Sequence, residues 1–402
     1  MVLTPRKLFL YVIQLVRVNL SWISKKLRAP FKNYSKKKQF KIDKNYINLN
    51  SISTKEFSNK ILVLRLDDIG DYILFRQVLP VLKKHCAEKN LKLTLCGNIA
   101  WKPLFESLDA QYVSETIWIN KKEWVKQIYR NDVYKTIAAG SYGIVLNCEY
   151  SRNQSLNDLI AYASQAPERY AWSGELNQNS GFVRSLSKGV YTKEFTDTQY
   201  LFESERNVLF VEKWLCKKIP YCKNLLIDQS IKENKIMLFG GASKQSKRWS
   251  VDKFIQIANF LHLQYPSYQI VLAGDQSDIQ RNKLIQASCL GEVINTTGAT
   301  SLIEFVYLAA SCSLIITNDT LALHIAASCD TPCIVIANGA TYTRFLNYPA
   351  SLYKVRLAIP PKAQVQFKLS GPNTTTIDAS SIAIQQVTIN QVINYIDELL
   401  KK

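Results

Sequence analysis

The sequence predicts an α/β protein made of two Rossmann-like halves, each a parallel sheet sandwiched between helices. Three observations carry this. Short apolar runs suited to buried strands alternate with segments of helical length and period. That alternation occurs twice along the chain. Each series opens with a strand running into a glycine-bearing turn, at Ile69-Gly70-Asp71 and at Gly240-Gly241-Ala242-Ser243.

In the first series Lys60–Leu66 is a strand, Tyr72–His85 a helical stretch, Leu91–Leu95 a strand, Pro103–Leu108 a helix and Gly143–Leu146 a strand. The second runs strand Lys235–Phe239, helix Val251–Tyr265, strand Gln269–Ala273, helix Ser301–Ser311, strand Ser313–Thr317, helix Leu321–Ser328 and strand Cys333–Ala337. The expected domains are therefore 59–205 and 235–385, joined by a connection at 206–234 and closed by a helix within 386–402. Sheets of this kind bind ligands outside the carboxyl ends of their strands, so the site is expected in the cleft between the domains.

A chain of 402 residues with 47% hydrophobic content has ample material for such cores, and global disorder is excluded. Its formal charge of +19 is uneven: residues 1–50 hold 12 Lys/Arg against Asp43 alone, leaving 39 basic and 31 acidic residues for the rest. The nine cysteines form no C-x-x-C pair and sit mostly in apolar runs, which points to buried thiols in a reduced compartment. Three histidines without clustered Cys/His spacing leave no zinc motif, and no metal ligand is assigned.

The stretch Leu8–Ile23 is apolar but interrupted by Gln14, Arg17 and Asn19, too short and too polar for a membrane span. On a helix, Lys7, Gln14, Arg17, Ser21, Ser24 and Arg28 draw one polar stripe, and a lysine-rich run follows through Lys44. Residues 1–35 are thus expected to form a basic amphipathic segment lying on an anionic membrane surface, and the polar stretch 36–58 a linker. The alternative is a helix packed on the protein's own body. A cleaved signal peptide fits less well because Arg17 breaks the apolar region, and no nucleic-acid recognition module accompanies the charge.

Three segments can carry chemistry. In Arg65-Leu66-Asp67-Asp68-Ile69-Gly70-Asp71, Gly70 permits a tight strand-to-helix turn. Asp71 then sits at a helix N-terminus, as a general base for a hydroxyl or as a simple helix cap. In Phe239-Gly240-Gly241-Ala242-Ser243, backbone N–H groups and the Ser243 hydroxyl suit a phosphate, and Lys247 adds a point charge. In Asn318-Asp319-Thr320, with His324 one turn on, a strand gives way to an anion-binding helix N-terminus or to a capped helix with a core histidine.

Together these segments resemble glycosyltransferase family 9, the bacterial heptosyltransferases of lipopolysaccharide core assembly. The family's R-L-x-x-I-G-D block is matched by Arg65 to Asp71, its G-A-S and K-x-W block by Gly241-Ala242-Ser243 and Lys247-Arg248-Trp249. Its D-T-x-x-x-H-x-A-A block is matched by Asp319-Thr320, His324, Ala326 and Ala327. Tyr142–Asn147 with Ser151-Arg152 is similar to the family's acceptor-side strand and loop.

The resemblance implies a GT-B fold and inverting, metal-independent transfer from a nucleotide-sugar, such as ADP-heptose, to a lipid-linked or lipopolysaccharide core acceptor. It implies a cytoplasmic location, peripheral on the inner face of the bacterial inner membrane. It casts Asp71 as the base and Gly240, Gly241, Ser243, Lys247, Asp319, Thr320 and His324 on the donor side, with Asp278 near the donor ribose. Arg65, Asp68 and Arg152 fall on the acceptor side. The nucleotide-sugar is a co-substrate, and no cofactor is implied. Leu321 stands where the family usually has glycine beside the donor phosphates, which leaves the donor open. The alternatives are a sugar-nucleotide epimerase of the same build and a non-catalytic nucleotide-sugar-binding scaffold.

Overall fold

The computed structural model describes residues 37–50, 56–174, 186–197, 201–227, 231–370 and 382–401, excepting the side chains of 367–370. The amphipathic segment expected over 1–35 lies outside them. Among the described residues twelve strands are present: β1 Ser58–Arg65, β2 Lys92–Asn98, β3 Glu115–Ile119, β4 Tyr142–Asn147, β5 Glu168–Trp172, β6 Lys193–Phe195, β7 Glu233–Phe239, β8 Gln269–Leu272, β9 Val293–Asn295, β10 Cys312–Asn318, β11 Cys333–Ile336 and β12 Val355–Ala358. They form two six-stranded sheets, ordered β3-β2-β1-β4-β5-β6 and β12-β11-β10-β7-β8-β9. Counted from its own first strand, each has the doubly wound Rossmann order. The order reverses between β1 and β4 in one sheet and between β7 and β10 in the other.

In the second sheet β10 pairs in parallel with β7 and β11, β7 with β8, β8 with β9, and β11 with β12. Covered on both faces, its central strands carry buried apolar runs, such as Ile236–Phe239 of β7, Leu314–Ile316 of β10 and all of β11. Ile236, Leu238, Ile316 and Ile334 are buried with Phe254, Ile257 and Leu261 of helix Val251–Gln264 and with Val392 and Ile396 of helix Ile389–Leu400. Helix Leu302–Ser311 begins with a reciprocal cap: Glu304 N donates to Ser301 Oγ at 3.3 Å and Ser301 N to Glu304 Oε2 at 2.7 Å.

Contacts divide the chain into two compact units, Met1–Leu64 with Lys121–Glu194, and Arg65–Asn120 with Phe195–Lys402. In the first, residues 37–49 of the stretch expected as a linker are helical. The inward face of this helix carries Phe40, Asp43 and Ile47, a helical period hidden among lysines and asparagines. Asp43 is fully buried, accepting from Arg130 Nε at 2.9 Å, Gln39 at 2.9 Å, Gln127 at 2.8 Å and the Tyr134 hydroxyl at 3.1 Å. In the second unit, helix Glu203–Leu215 occupies the start of the connection expected over 206–234, burying Val208, Phe210 and Val211 along with Glu203, Arg206 and Asn207. All nine cysteines are free thiols, six of them buried.

Replacing Asp43 by alanine strands the Arg130 guanidinium in the interior, at a cost of about 3 kcal/mol. A urea unfolding midpoint equal to that of the parent chain would contradict this role.

Candidate active site

A cavity of about 430 Å³ opens within the second compact unit. Its walls are the turn after β1 (Asp68 to Asp71), the turn after β7 (Gly241 to Ser243, with Lys247) and the turn after β8 (Asp275 to Asp278). The start of helix Leu321–Ser328, from Asp319 to His324, completes them. The cavity therefore lies where the strand order β7–β10 reverses, at the carboxyl ends of the strands.

Asn318, the last residue of β10, ties these turns together. Its Nδ2 donates to the Gly240 carbonyl at 2.6 Å, and its Oδ1 accepts from Trp249 N at 3.3 Å. Trp249 is itself fully buried, with Nε1 donating to the Val387 carbonyl at 3.1 Å, so the tryptophan of the Lys247-Arg248-Trp249 segment anchors the turn in the core. Gly240 lies off the cavity, where a Cβ would come within 2.9 Å of Arg281 Nε. At Gly241 a Cβ would overlap the Asp278 carboxylate. The paired glycines thus admit side chains from the β8 turn and helix Ile279–Ser288 and leave backbone facing the cavity. Asp278 is buried: its Oδ2 accepts from Asp275 N at 3.3 Å, while its Oδ1 has no hydrogen-bond partner among the described residues. Burial, then the nearby Asp275, raises its pKa.

Lys247 Nζ meets Asp319 Oδ2 at 2.6 Å, so its ammonium is already oriented at the cavity wall. The Thr341 hydroxyl also donates to Asp319 Oδ2, at 3.4 Å. Thr320 caps the helix, its Oγ1 accepting from Ala322 N at 3.3 Å, and Leu321 follows as the first helical residue, lining the cavity. Lys247 and this helix start thus line the same cavity, and the positive end of a helix dipole favours anions.

Gly70 has ordinary helical backbone geometry rather than the turn conformation expected of it. Its missing side chain serves packing instead: a Cβ would stand 2.6 Å from His324 Cδ2, so helix Ile69–Phe75 closes directly onto helix Leu321–Ser328. His324 is buried and shares a 2.7 Å hydrogen bond between its Nδ1 and the Tyr348 hydroxyl. Burial pushes its pKa down to about 4, with Asp319 opposing and Lys247 assisting, so the imidazole is neutral near pH 7.

Asp71 occupies the third position of helix Ile69–Phe75, whose N-cap is Asp68. Asp71 lines the cavity, and its carboxyl has a raised pKa: burial dominates, Arg65 and Arg344 oppose it, and Glu203 and Asp68 add to it. Arg65, expected on the acceptor side, is fully buried and does not line the cavity. Its guanidinium meets Asp67 at 2.9 Å, Asn207 at 3.0 Å and the Asp71 carbonyl at 3.0 Å, which fixes the backbone of the turn after β1. Arg152 lies in the first compact unit, held by Asp158 at 3.1 Å, by Glu194 and by the Trp172 carbonyl.

Of the expected residues the cavity thus gathers Asp68, Asp71, Gly241, Ser243, Lys247, Asp278, Asp319, Thr320 and His324. Sequence reasoning missed Asp275, Ser277, Thr341 and Phe345 on the wall, and Tyr348, Glu203 and Arg344 behind it. Asp275-Gln276-Ser277-Asp278, a reciprocal cap after a strand, carried a legible signal for the first two. Among the described residues no three His, Cys, Asp or Glu side chains gather as a metal site, and no helix is long and apolar enough to cross a membrane.

Two Rossmann-ordered sheets, with a ligand-sized cavity at the carboxyl ends of their strands, define a GT-B-type protein. Residues 197–368 match the model of glycosyltransferase family 9 (heptosyltransferase). Lipopolysaccharide heptosyltransferase 2 of Salmonella typhimurium is 33% identical over 201 residues, 46% of this chain and 57% of that one. The chain spans about half the length of the curated relatives it matches. Among solved structures, the glycosyl transferase family 9 protein of Veillonella parvula superposes with a TM-score of 0.64 at 18% identity, covering 87% of this chain and 99% of that one. The E. coli heptosyltransferase WaaC with ADP gives a TM-score of 0.64 at 13% identity, covering 85% and 99%.

A Gly70→Ala substitution drives a methyl group into the His324 ring. It should lower stability by about 1–3 kcal/mol, the usual cost of overpacking, and reduce activity further by displacing Asp71. A variant matching the parent in both unfolding midpoint and turnover would show that this contact is dispensable.

Proposed function

We propose that the protein is an inverting glycosyltransferase that moves a sugar, a heptose by kinship with its relatives, from a nucleoside-diphosphate sugar to a hydroxyl of a lipid-linked or lipopolysaccharide core saccharide. One observation carries this: Asp71 lines the same cavity as Lys247, the Gly241–Ser243 turn and the start of helix Leu321–Ser328. A relative of this fold holds ADP, which supports a nucleoside diphosphate here too.

In this scheme the Asp71 carboxylate takes the proton of the acceptor hydroxyl while its oxygen attacks the anomeric carbon. The bond from that carbon to the diphosphate breaks on the opposite face, inverting the centre. The departing diphosphate leaves with the bonding electrons, and Lys247 and the helix N-terminal N–H groups neutralise its growing charge. The neutral His324 ring and the Asp278 carboxyl, whose Oδ1 has no partner among the described residues, contribute polar contacts to the donor. No step calls for a metal ion, so turnover is expected to persist in excess chelator. The base acts deprotonated and its pKa is raised, so kcat/KM should fall, as pH drops, at a pH above the ordinary aspartate range.

Asp71→Asn should abolish transfer and leave donor affinity nearly intact. Lys247→Ala should weaken donor binding about tenfold or more, the loss of one charge-assisted contact. Calorimetry with ADP-heptose, together with product analysis, checks both; unchanged turnover in the first variant would remove Asp71 from the chemistry.

We also assign the protein to the cytoplasmic face of the bacterial inner membrane. Besides the basic segment 1–35, the helix over 37–49 exposes Lys38, Lys41, Ile42 and Leu49, and Val125 and Ile128 are about four-fifths exposed (80% and 78%) in the same compact unit. Cations interspersed with exposed apolar side chains suit an anionic lipid surface. The full chain should float with vesicles containing anionic phospholipid and be released by salt; equal flotation with neutral vesicles would refute the electrostatic part.

A further inference from the structure

We infer that Glu203 is a positioning residue for the reaction: buried behind the cavity, it sets how much positive charge Arg65 and Arg344 deliver to Asp71. The inference rests on Asp71 being the base proposed above.

Glu203 opens helix Glu203–Leu215, is wholly shielded from solvent and does not line the cavity. Its carboxylate accepts from Arg344 Nε at 2.6 Å and Arg206 Nη1 at 3.2 Å, and lies 3.9 Å from Arg65 Nη2. Arg65 in turn donates to the Asp71 carbonyl, while Asp67 and Asp197 meet the outer sides of Arg65 and Arg206. Burying an acid together with three guanidiniums is costly unless its charge is needed there. Burial alone would raise the pKa of Glu203, but Arg344, Arg206 and Arg65 outweigh it and hold the carboxyl below its ordinary value, so it is ionised.

The groups facing Asp71 come from every surrounding element. Arg65, Asp67 and Asp68 stand at the end of β1 and just beyond it, Glu203 on its own helix and Arg344 in the turn Tyr342–Leu346. His324 on helix Leu321–Ser328 is neutral, and Lys247 and Asp319 are paired with each other. Two arginines acting on Asp71 without a counter-charge would make it a stronger acid and so a weaker base. Glu203 supplies that counter-charge from a position the substrates cannot reach.

The test reads the acid limb of kcat/KM for transfer beside the 13C titration of the Asp71 carboxyl in aspartate-labelled protein, assigned with Asp71→Asn. In Glu203→Gln both should move to lower pH. Glu203→Asp, which keeps the charge, should leave both near their parent positions. Arg206→Gln strips one cation from Glu203 while sparing its carboxylate, and should move both to higher pH; it decides by sign even where Glu203→Gln does not fold. A purely structural role would instead lower kcat by the same factor at every pH. An unmoved titration in folded Glu203→Gln or Arg206→Gln protein overturns the inference. A titration that moves while Asp71→Asn retains transfer upholds the role of Glu203 and rejects Asp71 as base.

Discussion

The site depends on one close approach, the seating of helix Ile69–Phe75 against helix Leu321–Ser328 with only a hydrogen atom of Gly70 facing the His324 ring. Every other residue type at position 70 places a carbon where the ring already stands. Because His324 is buried and tied to Tyr348, the ring has little freedom to yield. The contact does two things at once. It carries Asp71, one residue further on, to the cavity wall, and it removes water from the imidazole, which is why His324 stays neutral.

Around that contact the charges are arranged in two tiers. At the wall, Lys247 and Asp319 hold one another in an oriented ion pair. Behind the wall, Arg65, Arg206, Arg344 and Glu203 form a buried network, none of whose members lines the cavity. Such a network is expensive to bury, and its value lies in holding the Asp71 turn and its electrostatic surroundings constant. The glycines after β7 follow a related logic: they make room for Asp278 and Arg281, and the cavity inherits the backbone left exposed.

Much of this was legible in the sequence, but unevenly. The apolar runs of β1, β7, β10 and β11 announce a parallel sheet because both faces are covered, and the turns after β1, β7, β8 and β10 carried nine of the expected residues to one cavity. The helix over 37–49 was hidden because its inward face spends one position on Asp43, an acid whose partners, Arg130, Gln127 and Tyr134, lie more than eighty residues away. Short strands such as Val293–Asn295 and Lys193–Phe195 hold too few residues to show a period. Arg65 was read as facing a ligand because its motif suggested it; its partners turn it inward.

By itself, the order of residues determined the alternation of strands and helices, the two-fold repetition of that pattern, and the identity of the turns that carry chemistry, because all three follow from local period and local backbone preference. What only the folded chain decided is which distant groups share a low-dielectric space: His324 against Gly70, Lys247 against Asp319, Glu203 among three arginines. Proton affinity and charge depend on neighbours within a few ångströms, and no spacing along a sequence records them.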